Sequence, residues 1–135
     1  MIEYTSSLEG IAEKDVLGFF VGWPNPPNET TFLKLLANSD EIVLALEQPE
    51  GRVVGFINAI SDKTLMAFIP LLEVLPSHQG KGIGGELVKR MLEKLHSFYG
   101  IDLLCDPELQ DYYKRFGMHT ARGMGIRNYE NQNGM

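Results

Sequence analysis

One cysteine, Cys105, is all the chain contains, which excludes an internal disulfide and any thiolate metal cluster. No apolar run approaches the roughly 20 residues that span a bilayer. The opening MIEYTSSLEG has neither a basic nor an apolar leader region. A cytoplasmic location without membrane contact is therefore expected. Basic residues are scarce: 12 Lys and Arg against 18 Asp and Glu leave a net charge of −6. Nucleic acid needs a basic face, so it is not an expected partner. His78, His96 and His119 lack metal-ligand spacing, so loop and surface roles are expected and no metal. What is present suffices for a core. The 135 residues, 44% of them hydrophobic, read as one domain over 1–135, without repeats or an internal boundary.

Period and punctuation predict the elements. Ile2 and Tyr4 alternate with polar residues as a short strand does. Ile11, Val16, Leu17, Phe19 and Phe20 have helical spacing within Ile11 to Val21. Trp23-Pro24-Asn25-Pro26-Pro27 stops that helix, because proline removes donors and fixes φ. Asn28 caps a second helix, Glu29 to Ala37. Ile42 to Glu47 and Val53 to Ile60 form a hairpin about Gln48–Gly51, and a fourth strand runs from Leu65 to Leu75. Gly82 to Tyr99 places Ile83, Leu87, Val88, Met91, Leu92, Leu95 and Phe98 on one helical face. Ile101 to Cys105 reads as a fifth strand with Cys105 in the core. Pro107 to Arg115 reads as a short helix capped by Asp106. Met118 to Tyr129 has room for two short strands, and Glu130 to Met135 is expected to fray.

The most informative segment joins the fourth strand to the long helix. Gln79-Gly80-Lys81-Gly82-Ile83-Gly84 has the form Q-x-x-G-x-G. Bare N–H groups at a helix start, backed by the helix dipole, make an anion site. Glycine lets a phosphate approach the backbone, so the unit suits a diphosphate. Gly80 to Gly85 also fits the dinucleotide pattern G-x-G-x-x-G, with Asp102 about 20 residues on. Against that, Pro76-Ser77-His78-Gln79 separates the turn from its strand, and the turn lies mid-chain. The length also leaves no room for a full doubly wound sheet with a substrate domain. No Gly-Lys-Ser/Thr follows, so a Walker loop is excluded.

Q-x-x-G-x-G after Leu72-Glu73-Val74-Leu75-Pro76 resembles motif A of the GNAT superfamily, the acetyl-CoA-dependent N-acetyltransferases. A second family pattern, N-x-x-A-x-x-F-Y-x-x-x-G-F, is matched in spacing by Asp106, Leu109, Tyr112, Tyr113, Gly117 and Met118. Asp106 replaces the Asn; it can accept a hydrogen bond but, ionised, donates none. The resemblance covers most of the chain. It implies an α/β (α+β) GNAT fold: a mixed, twisted central sheet of about six to seven strands flanked by about four helices. Strands four and five would splay apart, with the pantetheine arm pairing with backbone at Leu72 and Val74. The diphosphate would sit on Gln79, Gly80, Lys81, Gly82, Ile83, Gly84 and Gly85. Lys81 either adds charge there or is a solvated lysine. Asp106 would touch the cofactor arm.

The same resemblance implies acetyl transfer from acetyl-CoA to a primary amine by direct attack in a ternary complex. The acceptor would be a small molecule or a peptide, and a homodimer stays open. An alkyl ammonium costs about 4–5 kcal/mol to deprotonate at pH 7, so a base is needed. Glu73, beside the cleft, is the first candidate; Asp106 and Glu108 follow. Tyr113 matches the family's general acid, and Trp23 either lines the acceptor pocket or plugs the core. A non-catalytic acyl-CoA sensor on the same fold is the alternative.

Overall fold

Ile42, Leu44 and Leu46 of strand β2 (Glu41–Glu47) pack on one side of the sheet, Val43 and Ala45 on the other. Both sides are covered, so the period of two shows in the sequence as an unbroken apolar run. The computed structural model describes residues 1–135. Strands β1 (Ile2–Thr5) and β3 (Arg52–Ser61) flank β2, both antiparallel to it. β3 then pairs with β4 (Met66–Phe68) and with β5 (Leu72–Val74), and β4 pairs in parallel with β6 (Gly100–Asp102). The order is β1-β2-β3-β4-β6, with β5 beside β3. Three α-helices accompany the six strands: α1 (Glu29–Asn38), α2 (Ile83–Lys94) and α3 (Gln110–Lys114). No helix is long and apolar enough to cross a membrane.

α2 buries Ile83, Leu87, Val88 and Met91 against Val43, Ala45, Val54 and Ile57. Gly55 permits this approach. A Cβ there would meet Leu87 Cδ1 at 3.1 Å and Ile83 Cγ2 at 3.2 Å. On the opposite face Phe32 and Leu36 of α1 join Phe20, Leu44 and Phe56. Phe32 meets Phe56 edge to face at 4.7 Å and Phe20 at 4.9 Å; such pairs add about 0.5–1.5 kcal/mol beyond burial. α1 starts as expected, with Asn28 Oδ1 accepting from the Thr31 N–H at 2.8 Å.

Several expectations are corrected. No α-helix forms over Ile11 to Val21, only a 3₁₀ turn at Glu13–Asp15. Gly18, Phe20 and Gly22 all have positive φ, and the apolar spacing serves a loop that drops Val16 and Phe20 into the core. The expected strand Leu65–Leu75 is broken in two. Ile60 faces Phe68 but Ile57 faces Leu72, so one extra residue bulges out, and Pro70 there has no N–H for a ladder. The buried Asn58 fills the gap. Its Oδ1 accepts from the Leu71 N–H at 3.1 Å and its Nδ2 donates to Ser39 Oγ at 3.0 Å. The α2 helix stops at Lys94, short of Tyr99, and β6 ends at Asp102, short of Cys105. Met118 to Tyr129 forms no strand; Gly123 and Gly125 interrupt it, and Met124 and Ile126 lie exposed.

The C-terminal residues are not frayed. Tyr129–Asn131 make a 3₁₀ turn, and Asn25 grips it: its N–H donates to Gln132 Oε1 at 2.8 Å and its Nδ2 to Tyr129 O at 3.2 Å. His78 is buried rather than superficial. Its ring nitrogens meet Ser77 Oγ at 2.7 Å and Glu47 Oε2 at 2.8 Å, and the bond from His78 holds the Glu47 carboxyl below its ordinary range.

Candidate active site

The last bond across the β4–β6 pair runs from the Ile69 N–H to Asp102 O, at 2.9 Å. Beyond it the bulge turns the chain onto β3 as β5, while Leu103 to Cys105 leave the sheet. The two strands therefore part, as expected. The Asn58 N–H donates to Leu71 O at 3.2 Å and the Leu75 N–H to Val54 O at 2.9 Å. Alternation along an antiparallel ladder then turns the Glu73 peptide groups toward β3 and those of Leu72 and Val74 toward the gap. Gln79 Nε2 donates to Val74 O at 3.0 Å. The Leu72 groups and the Val74 N–H keep their capacity for a ligand.

The glycine turn lies at the mouth of this gap. Gly80 and Gly82 have φ of +78° and +83°, and a Cβ on either would have no neighbour within 4 Å. Glycine is there for backbone conformation, in open space. Lys81 between them is exposed. Gly82 is the N-cap of α2, and the first helical bond runs from the Glu86 N–H to Gly82 O, at 3.1 Å. The N–H groups of Ile83, Gly84 and Gly85 thus precede the helical ladder, while the Ile83 side chain is buried. Gly84 and Gly85 have a second reason to be glycine. Their Cβ positions lie 3.4 and 3.7 Å from the Tyr112 hydroxyl, so they admit α3 against the first turn of α2.

The segment after β6 supplies Asp106 and Tyr113. Asp106 is exposed and precedes a 3₁₀ turn with Pro107 in its first position, but its side chain makes no capping bond. Tyr113 is half-buried against the α2-side core and meets Tyr112 edge to face at 5.2 Å. Burial first, then Tyr112 and Cys105, raises its hydroxyl above the ordinary 10.0. At neutral pH Tyr113 is therefore a hydrogen-bond donor.

Glu73 sits opposite Phe56, on the α1 face. Its Oε1 accepts from the Phe20 N–H at 2.9 Å and its Oε2 from the Val21 N–H at 3.3 Å. The carboxylate thus anchors a loop whose Phe20 has φ of +63°. Trp23, in the same loop, packs edge to face on Phe20 at 4.9 Å. It also borders a cavity of about 380 Å³, shared with Val21, Phe56, Leu71, Leu72, Glu73 and Gln79. Trp23 thus both packs on the aromatic core and borders this cavity. The structure brings Trp23, Leu72, Glu73 and Gln79 together and sets Asp106 and Tyr113 on the segment following β6. Asn58 and Gln132 were missed. A lone Asn in the apolar run Val53–Ile60 was a signal for the first; nothing local marked the second. A further groove of about 320 Å³ between β1 and α2 has its cations engaged already, Arg90 with Glu86 at 2.8 Å and Lys94 with Glu41 at 3.5 Å.

The mixed sheet thus opens beside a glycine-capped helix. The model of the Acetyltransferase (GNAT) family matches residues 8–118, and the chain belongs to that family. A candidate acetyltransferase from Deinococcus radiodurans R1 is 42% identical, with a TM-score of 0.96 over 99% of this chain and 93% of that one. A GNAT-family acetyltransferase from Streptococcus pneumoniae TIGR4 is 30% identical, with a TM-score of 0.76 over 95% of this chain and 98% of that one. An uncharacterized N-acetyltransferase of Pyropia yezoensis is 28% identical over 72% of this chain and 58% of its own length. The chain spans between 30% and 58% of the length of the curated relatives it matches.

Proposed function

We propose that the protein transfers an acetyl group from acetyl-CoA to a primary amine, donor and acceptor being bound together. One observation carries this reading. Two sets of uncommitted backbone groups lie side by side, those of Leu72 with the Val74 N–H on β5 and the N–H groups of Ile83–Gly85 at the start of α2, a Cβ at Gly84 lying 3.7 Å from Val74 Cγ2. They fit an extended pantetheine arm ending in a diphosphate. Acetyl-CoA supplies an acyl group already activated as a thioester.

The chain's own residues do the rest. The N–H groups from Gly80 to Gly85 hold the diphosphate without a side chain in the way, and Lys81 adds charge. Leu72 and Val74 fix the register of the arm, and Asp106 accepts a hydrogen bond from it. The Tyr113 hydroxyl donates to the departing sulfur. A carboxylate oxygen has acceptor sites to spare after one backbone bond, so Glu73 draws the proton from the amine, through water, while still holding Phe20 and Val21.

The test pairs ligand with mutation. CoA and acetyl-CoA raise the melting temperature and NAD does not, because only a ligand of the folded state stabilises by mass action. Tyr113→Phe leaves CoA affinity unchanged and lowers kcat and kcat/KM together, by about 100-fold, the low end for general-acid help. A larger shift with NAD sinks the reading. Equal turnover of wild type and variant removes Tyr113 from the mechanism. Wild type that binds acyl-CoA and acetylates no amine identifies a sensor instead.

A further inference from the structure

We infer that the acceptor is a small amine bearing a single positive charge on an apolar body. This deepens the transferase reading and rests on it. The cavity beside Glu73 holds about 380 Å³, near the lower end of small-molecule sites, which span about 300–1,000 Å³. Its walls are Val21, Trp23, Phe56, Leu71 and Leu72, and Glu73 is the only charged residue that lines it. The other polar side chain, Gln79, has its amide nitrogen committed to Val74 O at 3.0 Å. One ammonium meets one carboxylate, with the Trp23 ring at hand for a cation–π contact. The lining offers a second ammonium no other anion, so only the first gains a charge partner there. A peptide acceptor brings more backbone N–H and C=O groups than this lining can pair, since Glu73 and Gln79 are its only polar side chains.

Trp23 is the only tryptophan, so the chain carries its own reporter in this cavity. The experiment titrates wild-type protein, saturated with CoA as judged by calorimetry, with 2-phenylethylamine, 2-phenylethanol and spermidine, following Trp23 fluorescence. 2-Phenylethylamine saturates the signal with a Kd at least about tenfold below those of the other two. Equal binding of 2-phenylethanol overturns the charge requirement. Equal or tighter binding of spermidine, or no response to 2-phenylethylamine, overturns the inference while CoA binding leaves the transferase reading standing. Failure to bind CoA overturns both.

Discussion

Two loops with left-handed glycines border the cleft, and they are held in opposite ways. Gly80 and Gly82 have no neighbours where a side chain would go; that turn offers free backbone and is stiffened only by the start of α2. The Gly18–Asn25 loop is gripped from both sides, by Glu73 at Phe20 and Val21 and by Gln132 and Tyr129 at Asn25. A loop that works through its own backbone must carry its conformation in local residue types. A loop held by partners 53 and 107 positions away need not. The glycine turn proposed for the donor is written locally, and the loop proposed for the acceptor at long range.

Breaking the open loop has the largest expected effect. Gly82→Asp puts a carboxylate and a Cβ where a diphosphate would lie, at a φ that disfavours side chains. CoA affinity falls by at least about 100-fold, by analogy with a repulsive charge at close range costing several kcal/mol. The far-ultraviolet circular dichroism stays native, since nothing is displaced. Unchanged CoA affinity in that folded variant would place the donor elsewhere.

Glu73→Gln is next and strikes the gripped loop. The amide keeps one acceptor but turns its NH₂ toward a backbone N–H, so the hold on Phe20 or Val21 is lost. Acetyl transfer falls by about 100-fold if a base is removed. The loss of the hold shows separately, as greater quenching of Trp23 by acrylamide, with CoA affinity unchanged. A slower enzyme with Trp23 as protected as before would leave Glu73 a role in proton transfer alone.

The smallest effect is expected from Gln132→Ala, which takes the acceptor from a part-buried Asn25 N–H. A single neutral hydrogen bond is worth about 0.5–1.5 kcal/mol, so KM for the amine rises about two- to tenfold while kcat and CoA affinity hold. Gln132→Glu, which keeps an acceptor oxygen, restores it. An unmoved KM would show that the C-terminal turn does not steady the acceptor loop.

The same contrast explains what could be read in advance. The hairpin β2–β3, the capped α1, the glycine turn and α2 announce themselves through period, cap and glycine, all local. The break between β4 and β5 depends on how β3 pairs on its far side and on Asn58 filling the bulge. Ile11 to Val21 misled because a loop that buries Val16 and Phe20 shares its spacing with a helix. His78 gave no sign of burial, since its partner Glu47 lies on β2, 31 positions away. At the candidate site, Gln79 and Gly80–Gly85 were marked by motif spacing and Leu72 only by the family resemblance, whereas the second use of Gly84 and Gly85, to admit Tyr112, needed α3 in place.

Gly134 passes so close to α1 that a side chain there would lie 2.8 Å from Thr31 Cγ2, and Asn25 holds the turn just before it. These contacts join the C-terminal turn to the Gly18–Asn25 loop, and the two are expected to open as one cooperative unit. The Asn25 amide proton, held only by Gln132, is then expected to exchange with solvent faster than those of β2 and β3, which hydrogen exchange would show.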